Sequence, residues 1–404
     1  MMNLNQILLH WHPIVFIFFC VITAVQVFYY LYFFRRLAFY QPVAKTTSHT
    51  HPVSVIICAR DEAANLAKNL AGSLVQEYTT THEVIVVDDN SFDDSKYLLE
   101  ELQKKFRQLH IVQLKQEAML ISGKKFPLSM GIKAAKYEIV LLTDADCVPA
   151  SEHWIEKMQA TYNEHTEIVL GYGAYHKLRG LLNKIIRWET LHTAMQYMSY
   201  SLAGLTYMGV GRNLSYKKTI FFRHKGFSAH NHVASGDDDL FINTAATKIN
   251  TAISIDKETF TLSDPAKTWQ QWIKQKSRHY STGKYYKPKH KFLLGLYSFS
   301  HFIFYPLMIS SALLFNWQLV LIVFGVRFVV QQIVFYSITK KLDEKDLFKD
   351  YDKSGVDPKD AQYIMLMAEI TKLDKLFDYF LISFRVWDKQ SDAEVTGSYK
   401  LYIK

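Results

Sequence analysis

The sequence predicts an α/β fold, a mostly parallel sheet with helices on both faces, joined to transmembrane helices. Two observations carry this prediction. Three short, nearly continuous apolar runs, Val53-Ser54-Val55-Ile56-Ile57-Cys58, Glu83-Val84-Ile85-Val86-Val87 and Glu138-Ile139-Val140-Leu141-Leu142, alternate with helix-like stretches such as Asp61 to Glu77. Strands buried on both faces read this way, because a parallel sheet is covered by its crossover helices. Outside this region lie three much longer apolar runs, Leu8–Phe34, Phe292–Phe315 and Trp317–Ile338.

Each strand ends in polar residues: Ala59-Arg60-Asp61-Glu62, Asp88-Asp89-Asn90-Ser91 and Asp144-Ala145-Asp146. In open sheets of this kind ligands bind beyond the carboxyl ends of the strands. Neither a G-x-G-x-x-G fingerprint nor a Walker loop is present, which argues against a dinucleotide enzyme or a phosphate-loop ATPase.

The 404 residues suffice for one large domain or two ordinary ones, and 49% are hydrophobic. The net charge of +9 resides largely beside apolar segments, at Arg35-Arg36 and at Lys284, Lys287, Lys289 and Lys291. A basic rim facing anionic headgroups accounts for it, and no nucleic-acid partner is expected. The three cysteines, Cys20, Cys58 and Cys147, form no C-x-x-C pair, which excludes a disulfide framework and fits a reducing compartment.

Leu8–Phe34 carries no charge and is long enough to cross a hydrocarbon core of about 30 Å. No Lys or Arg precedes it and bulky residues close it, so a permanent anchor is expected rather than a cleaved signal. The second and third runs, parted by Asn316, read as a helical hairpin. Arg327, Gln331 and Gln332 within the third run face the other helices, a substrate path or an interface. The basic flanks Arg35-Arg36, the Lys284–Lys291 cluster and Lys340-Lys341 place the middle of the chain in the cytosol and the N-terminus outside. The expected organisation is an anchor over 1–36, a cytosolic domain over 45–290, a transmembrane hairpin over 291–340 and a charged tail over 341–404. Within that tail, Ala361–Trp387 repeats apolar residues at helical spacing but carries Glu369, Lys372, Asp374, Lys375 and Asp378, which suits an interfacial amphipathic helix better than a fourth span.

Asp144 and Asp146 are two residues apart at a strand end, so their carboxylates point the same way and can share one hard cation, Mg²⁺ or Mn²⁺. Alone, such a pair is also a solvated turn. Asp88-Asp89 suits either a turn or a carboxylate that accepts hydrogen bonds from a base or sugar. Gly123-Lys124-Lys125 is either a cation near a diphosphate or a solvated loop. Gly236-Asp237-Asp238-Asp239 is more pointed: helix capping uses one carboxylate, not three, and crowding raises one pKa towards that of a general base. Gln275-Lys276-Ser277-Arg278-His279, with Trp269 and Trp272 upstream, offers Arg for phosphate and Trp for stacking, or forms an interfacial belt. His224, His230 and His232 fit an exposed loop better than a metal site.

In this order and spacing, these stations resemble the membrane-bound family 2 glycosyltransferases of GT-A fold, which include synthases of cellulose, hyaluronan and poly-N-acetylglucosamine and the ceramide glucosyltransferases. The resemblance runs from Val53 to about Tyr286. It implies that Asp61, Glu62, Asp88, Asp89, Lys124, Asp144, Gln275 and Arg278 bind a nucleotide-sugar donor, with Asp89 on uridine. It further implies that Asp144 and Asp146 hold the metal, that Asp238 beside Asp237 is the catalytic base, and that Arg212, Asn213, Trp269, Trp272 and His279 lie on the acceptor side. His279 stands where the family's Q-x-x-R-W motif has Trp, Cys58 where Pro or a small residue is frequent, and Asp61 where Asn is usual. The implied chemistry is an inverting, metal-dependent transfer from a UDP-type sugar to a lipid-linked or polysaccharide acceptor at the cytoplasmic face of the inner (plasma) membrane. A processive polysaccharide synthase, a catalytically silent scaffold of the same fold and a nucleotidyltransferase are the rival readings; the last lacks its glycine-rich phosphate loop here.

Overall fold

The computed structural model describes residues 11–42, 51–115, 123–233 and 235–349. The expected amphipathic helix at 361–387 lies outside them. The chain opens with helix α1 (Trp11–Ala38). The catalytic-sized domain then runs β1 (Val53–Ala59), α2 (Ala63–Leu74), β2 (His82–Asp88), α3 (Ser95–Lys105), β3 (Leu109–Gln113), α4 (Lys125–Ala134) and β4 (Ile139–Asp144). It continues through β5 (Cys147–Pro149), α5 (Trp154–Ala160), β6 (Ile168–Leu170), β7 (Gly173–Tyr175), α6 (Leu181–Leu202), β8 (Leu214–Lys217) and α7 (Lys218–Arg223). It closes with α8 (Asp239–Ala245), β9 (Thr251–Ile253), β10 (Thr261–Ser263) and α9 (Trp269–Tyr280), before the hairpin α10 (Pro288–Ser311) and α11 (Trp317–Lys341).

The main sheet has the order β3-β2-β1-β4-β8-β6-β9. Its first four strands are parallel, and β8 alone runs against its neighbours β4 and β6. A second sheet, β5-β10-β7, lies apart. Side chains alternate between two cores, as the period of two requires. Ile56, Ile85, Val87, Val140 and Leu142 pack with Leu128 and Ile132 of α4. Val55, Ile57, Val84, Val86 and Leu141 pack with Leu66 and Leu70 of α2, Leu99 of α3 and Trp154 of α5. Because the chain leaves β1 first towards β2 and later returns on its other side with β4, the helices part above β1 and β4 and leave a crevice there. Register places Cys58 opposite Asp144 and Ala59 opposite Asp88 on this rim.

Two helical segments, Trp11–Ala38 and Pro288–Lys341, are long and apolar enough to cross a membrane. The second folds back on itself. Asn316 leaves the helical conformation (φ −145°, ψ 105°), and its side chain accepts the N–H groups of Gln318 and Leu319, at 2.9 and 3.1 Å, to start α11. Phe304 of α10 meets Phe324 of α11, with ring centroids 6.4 Å apart. Polar groups of the three helices turn inward: Arg327 donates to Gln26 at 2.5 Å and lies over the Phe304 ring, and Gln26 donates to the Ser300 carbonyl at 2.8 Å. Arg327 and Gln331 therefore face the other helices. The outward face is apolar, with Ile14, Ile17, Phe18, Ile309, Leu321, Ile322, Val326 and Val329 exposed. Polar inside and apolar outside is the pattern that lipid solvates.

Helix α6 joins the two parts. It is almost wholly buried, between the sheet on one side and the ends of α1, α10 and α11 on the other. Phe33 stacks on Tyr200 at 4.4 Å, and His192 shares a 3.3 Å hydrogen bond with Tyr297. Gly131 of α4 marks the tightest helix-on-sheet contact. An added Cβ would stand 2.6 Å from Ile56 Cγ2 and 2.9 Å from Val87 Cγ2. Gly131→Ala should lower stability by about 1–3 kcal/mol by forcing α4 off the sheet, read as a lower midpoint of thermal unfolding in detergent.

Candidate active site

A cavity of about 940 Å³ opens at the crevice above β4. Six parts of the chain supply its polar walls: Gly123 and Lys124 ahead of α4, Asp144 and Asp146 after β4, Gly211 and Arg212 before β8, Asp237–Asp239 at α8, Gln275–His279 on α9, and the loop carrying Thr282 and Tyr286. Helices α6 and α10 complete it with Thr190, Thr193, Ala194, Tyr197, Lys291, Leu294, Gly295 and Ser298.

β4 ends at Asp144, and a turn through Ala145 and Asp146 leads directly into β5. The carboxylates of Asp144 and Asp146 and the Cys147 thiol have their ligand atoms within 4.8 Å of one another. That turn, rather than strand alternation, brings the two aspartates together. Lys124 forms an ion pair with Asp144, and the two side chains stay 31% and 33% exposed, open enough to meet a ligand. Burial pushes the Asp144 carboxyl upward, but the Lys124 ammonium more than offsets it and holds the group below the usual carboxylate range. Asp146, solvent-exposed at the mouth of the crevice, is nevertheless raised by the desolvation of its surroundings and by the Asp144 charge. Burial and both carboxylates raise the Cys147 thiol well above its ordinary value, so it stays protonated. The donor set is therefore two hard oxygens without a thiolate, which fits Mg²⁺ or Mn²⁺ and not a soft metal.

Asp238 faces this group across the cavity. It accepts the Gly211 N–H at 2.8 Å and the Asp239 N–H at 2.7 Å. Burial and the neighbouring Asp237 and Asp239 nevertheless push its pKa up to about 8. Gly236, at φ +94°, makes the turn that brings the three aspartates in; a Cβ there would stand 2.5 Å from Leu240. Lys125, whose ammonium is buried, pins the preceding loop by donating to the carbonyls of His230 at 2.9 Å and Ser235 at 2.6 Å. The two adjacent lysines thus have separate tasks, one on Asp144 and one on the loop.

Of the sequence-predicted site residues, Lys124, Asp144, Asp146, Arg212, Asp237, Asp238, Gln275, Arg278 and His279 line this one cavity. Arg212, expected on the acceptor side, holds its guanidinium 4.3 Å over the Tyr175 ring and donates to Ser263 at 2.7 Å, and the nearby Asp146 and Asp144 help to keep it charged. His279 is exposed to the cavity, and desolvation there, followed by the Lys276 and Arg278 charges, lowers its pKa to about 4 and favours the neutral imidazole.

Other expected residues lie outside the cavity wall. Asn213 is fully buried; it donates to the carbonyls of Tyr172 and Thr259 and accepts from Trp154, so its amide braces the fold. Trp272 packs under Ile185 and Ile186, and Trp269 is largely exposed on the outer side of α9. Asp61, Glu62, Asp88 and Asp89 stay on the strand-end rim. Asp61, at φ 55°, accepts from the Phe92 N–H at 2.7 Å, Glu62 from Asn65 at 2.5 Å, and Asp88 from the Ser91 N–H at 3.1 Å. The Asp89 N–H donates to the Ala59 carbonyl. His224, His230 and His232 lie in loops that do not line the cavity.

Sequence reasoning missed several wall residues. Asp239 accepts from Thr282 and, at 2.8 Å, from Tyr286, tying α8 to the loop that leads into α10. Lys276 of α9 pairs with the buried Glu189 of α6. A third carboxylate in a row is a visible signal, but α6 carries no motif that announces its role.

The open, largely parallel sheet with a carboxylate-lined crevice has the GT-A fold. Residues 54–225 match the model of the family described as Glycosyl transferase family 2, and this part of the chain is a family 2 glycosyltransferase domain. Over 101 residues the chain is 33% identical to a protein of Trichormus variabilis named beta-monoglucosyldiacylglycerol synthase, covering 25% of this chain and 21% of that one. It is 29% identical over 123 residues to a Haemophilus influenzae protein named uncharacterized glycosyltransferase, 30% of this chain and 36% of that one. The chain thus aligns with about a fifth to a third of these relatives' lengths. Among solved structures, a mannosyltransferase from Pyrobaculum calidifontis, complexed with GDP-Man and Mn²⁺, shares the fold with a TM-score of 0.52 at 16% identity, over 90% of this chain and 98% of that one.

Lys276→Met should remove the ammonium that neutralises Glu189 in the α6–α9 seam, leaving the carboxylate to neutral donors such as the Thr193 hydroxyl at 3.0 Å and costing about 3 kcal/mol of stability. The double variant Glu189→Gln/Lys276→Met should recover most of it, measured by thermal unfolding of the two proteins.

Proposed function

We propose that this chain is an inverting glycosyltransferase that moves a sugar from a nucleotide donor, of UDP type, to a lipid-linked acceptor at the cytoplasmic face of the membrane. One observation carries the reading: a single cavity holds the Asp144–Asp146 pair, the cations Lys124, Arg212 and Arg278, and a carboxyl with a raised pKa, and extends to membrane-length helix α10. The relative named for a diacylglycerol product supports a lipid acceptor. So does the filled helix bundle, in which Phe19, Phe304 and Val320 pack where a threading polymer would have to pass.

Asp238 takes the proton of the acceptor hydroxyl as its oxygen attacks the anomeric carbon. The bond from that carbon to the donor's diphosphate oxygen breaks on the opposite side, and the electron pair leaves with the diphosphate. Lys124, Arg212 and Arg278 stand where negative charge accumulates on the leaving group. Asp144 and Asp146 would hold a divalent cation, which supplies further charge neutralisation there. Asp239, through Thr282 and Tyr286, sets the position of α8 and with it the base. The basic flanks Arg35-Arg36, Lys287–Lys291 and Lys340-Lys341 support a domain on the cytosolic side with the N-terminus outside. The organisation follows as an anchor, a domain from about 45 to 287, and a hairpin from Pro288 to Lys341.

Asp238→Asn should reduce transfer by about 10²–10⁴-fold, the range for losing a general base, while nucleotide-sugar binding by calorimetry stays near that of the parent. Substantial activity in the Asn protein would remove Asp238 from this role. Because the base must be ionised, kcat/KM of the parent should rise with pH through about 8. Stability runs the other way. The folded chain keeps a proton on Asp238 from about 3.8 up to about 8, whereas the unfolded chain has released it, so this contribution declines as pH rises across that window. Asp238→Asn should therefore raise the melting temperature more at pH 8 than at pH 5. Chelation should abolish release of nucleoside diphosphate from a panel of nucleotide sugars, with Mn²⁺ or Mg²⁺ restoring it. Chelator-resistant turnover would show that Asp144 and Asp146 hold no essential metal.

A further inference from the structure

Gly295 occupies two surfaces at once. It forms part of the cavity wall that also contains Asp238, and it is exposed on the outside of α10. On that outer side it falls in helical step with Phe292, Phe299 and Phe302, three and four residues apart, all exposed. These are the side chains that would face lipid. Neither backbone nor packing demands a glycine here: the residue lies inside a regular helix, where glycine costs about 0.5–1 kcal/mol relative to alanine, and an added Cβ would meet no atom within 4 Å. What the missing side chain leaves is a notch in an otherwise bulky apolar stripe.

The notch has defined edges. Thr190, Thr193, Ala194 and Tyr197 of α6 line the opposite wall, and Lys291, Leu294 and Ser298 flank Gly295 on α10. Beyond it, Tyr297 meets His192 and the two helices close. Gly295 lies seven residues into α10, about 10 Å from its start at 1.5 Å per residue, just past the basic residues Lys287, Lys289 and Lys291. With those lysines among the headgroups, Gly295, one turn beyond Lys291, would lie near the level at which headgroups give way to acyl chains.

We propose that the gap at Gly295 is a lateral portal through which a membrane lipid bearing a free hydroxyl reaches the cavity, its chains remaining in the bilayer beside Phe292 and Phe299 while its headgroup extends towards Asp238. This rests on the glycosyltransferase reading and adds to it the acceptor's route and class. A soluble glycan or a polymer threading between the helices has no need of an opening on the apolar stripe, whereas a two-tailed amphiphile does.

The test uses the full chain in phosphatidylcholine vesicles containing a diazirine-bearing diacylglycerol as probe. After photolysis, label in the parent protein should fall on peptides spanning 190–197 and 291–298. Gly295→Trp, whose ring would fill the notch, should reduce that labelling and glycosylation of the lipid probe by about tenfold or more, with the melting temperature confirming that it folds. Ile309→Trp, exposed on the same helix but more than three turns beyond Gly295 and outside the cavity wall, should change neither. Equal labelling of these peptides in the parent and Gly295→Trp proteins, or equal transfer to the lipid, would overturn the portal. Failure of the function itself has a separate signature: a parent protein that releases no diphosphate from any nucleotide sugar, whatever the labelling pattern.

Discussion

Like charges crowded around one cavity set the conditions that the rest of this molecule meets. Asp144, Asp146, Asp237, Asp238 and Asp239 come from two distant stretches of chain, and their mutual repulsion grows as water is excluded. On the β4 side the repulsion is offset by Lys124 and Arg212, which leave Asp144 ionised and able to accept a cation. On the α8 side, where among the described residues no lysine forms an ion pair with Asp238, burial and the neighbouring Asp237 and Asp239 make its carboxyl keep a proton to higher pH. Two environments a short distance apart thus give one chemical group two different tasks.

Holding such an arrangement requires rigid supports, and they come from the part of the chain that reads as membrane-bound. Asp239 is fixed by Thr282 and Tyr286 just before α10, and Asn243, on the same helix, donates to His290 within α10 at 3.0 Å. Helix α6 is pinned to α9 through Glu189 and Lys276, and to the segment after α11 through Arg187, which pairs with Glu344 and Asp346. Helix α8, which carries Asp238 and Asp239 at its start, is therefore referenced to the start of α10. Under the proposed function this fixes the base relative to the acceptor, which is the advantage of pre-organisation.

Much of the arrangement was legible in residue order. The apolar runs at Val53, Glu83 and Glu138 announced parallel strands, because a strand buried on both faces cannot alternate. Asp144, Asp146 and Asp238 were readable because carboxylates at strand ends, or three in succession, are too costly to be incidental. Other expected residues lie off the cavity wall for a shared reason. Asn213, Trp272 and Asp88 are polar or aromatic residues near a site, and near a site such groups either meet ligand or brace the backbone. Asn213 is held by long-range hydrogen bonds to Tyr172, Thr259 and Trp154, Asp88 accepts from the nearby Ser91 N–H, and Trp272 is buried beneath α6.

The sequence alone determined the strand order's raw material, the lengths of the membrane-spanning segments and the carboxylates available for chemistry, since each depends on local periodicity or on residue type. Only the tertiary structure decided that α6 would form the cavity's far wall, that Lys124 and Lys125 would part company, and that Gly295 would belong to the cavity and the lipid-facing stripe together. These are pairings between residues scores of positions apart, and no local preference encodes them.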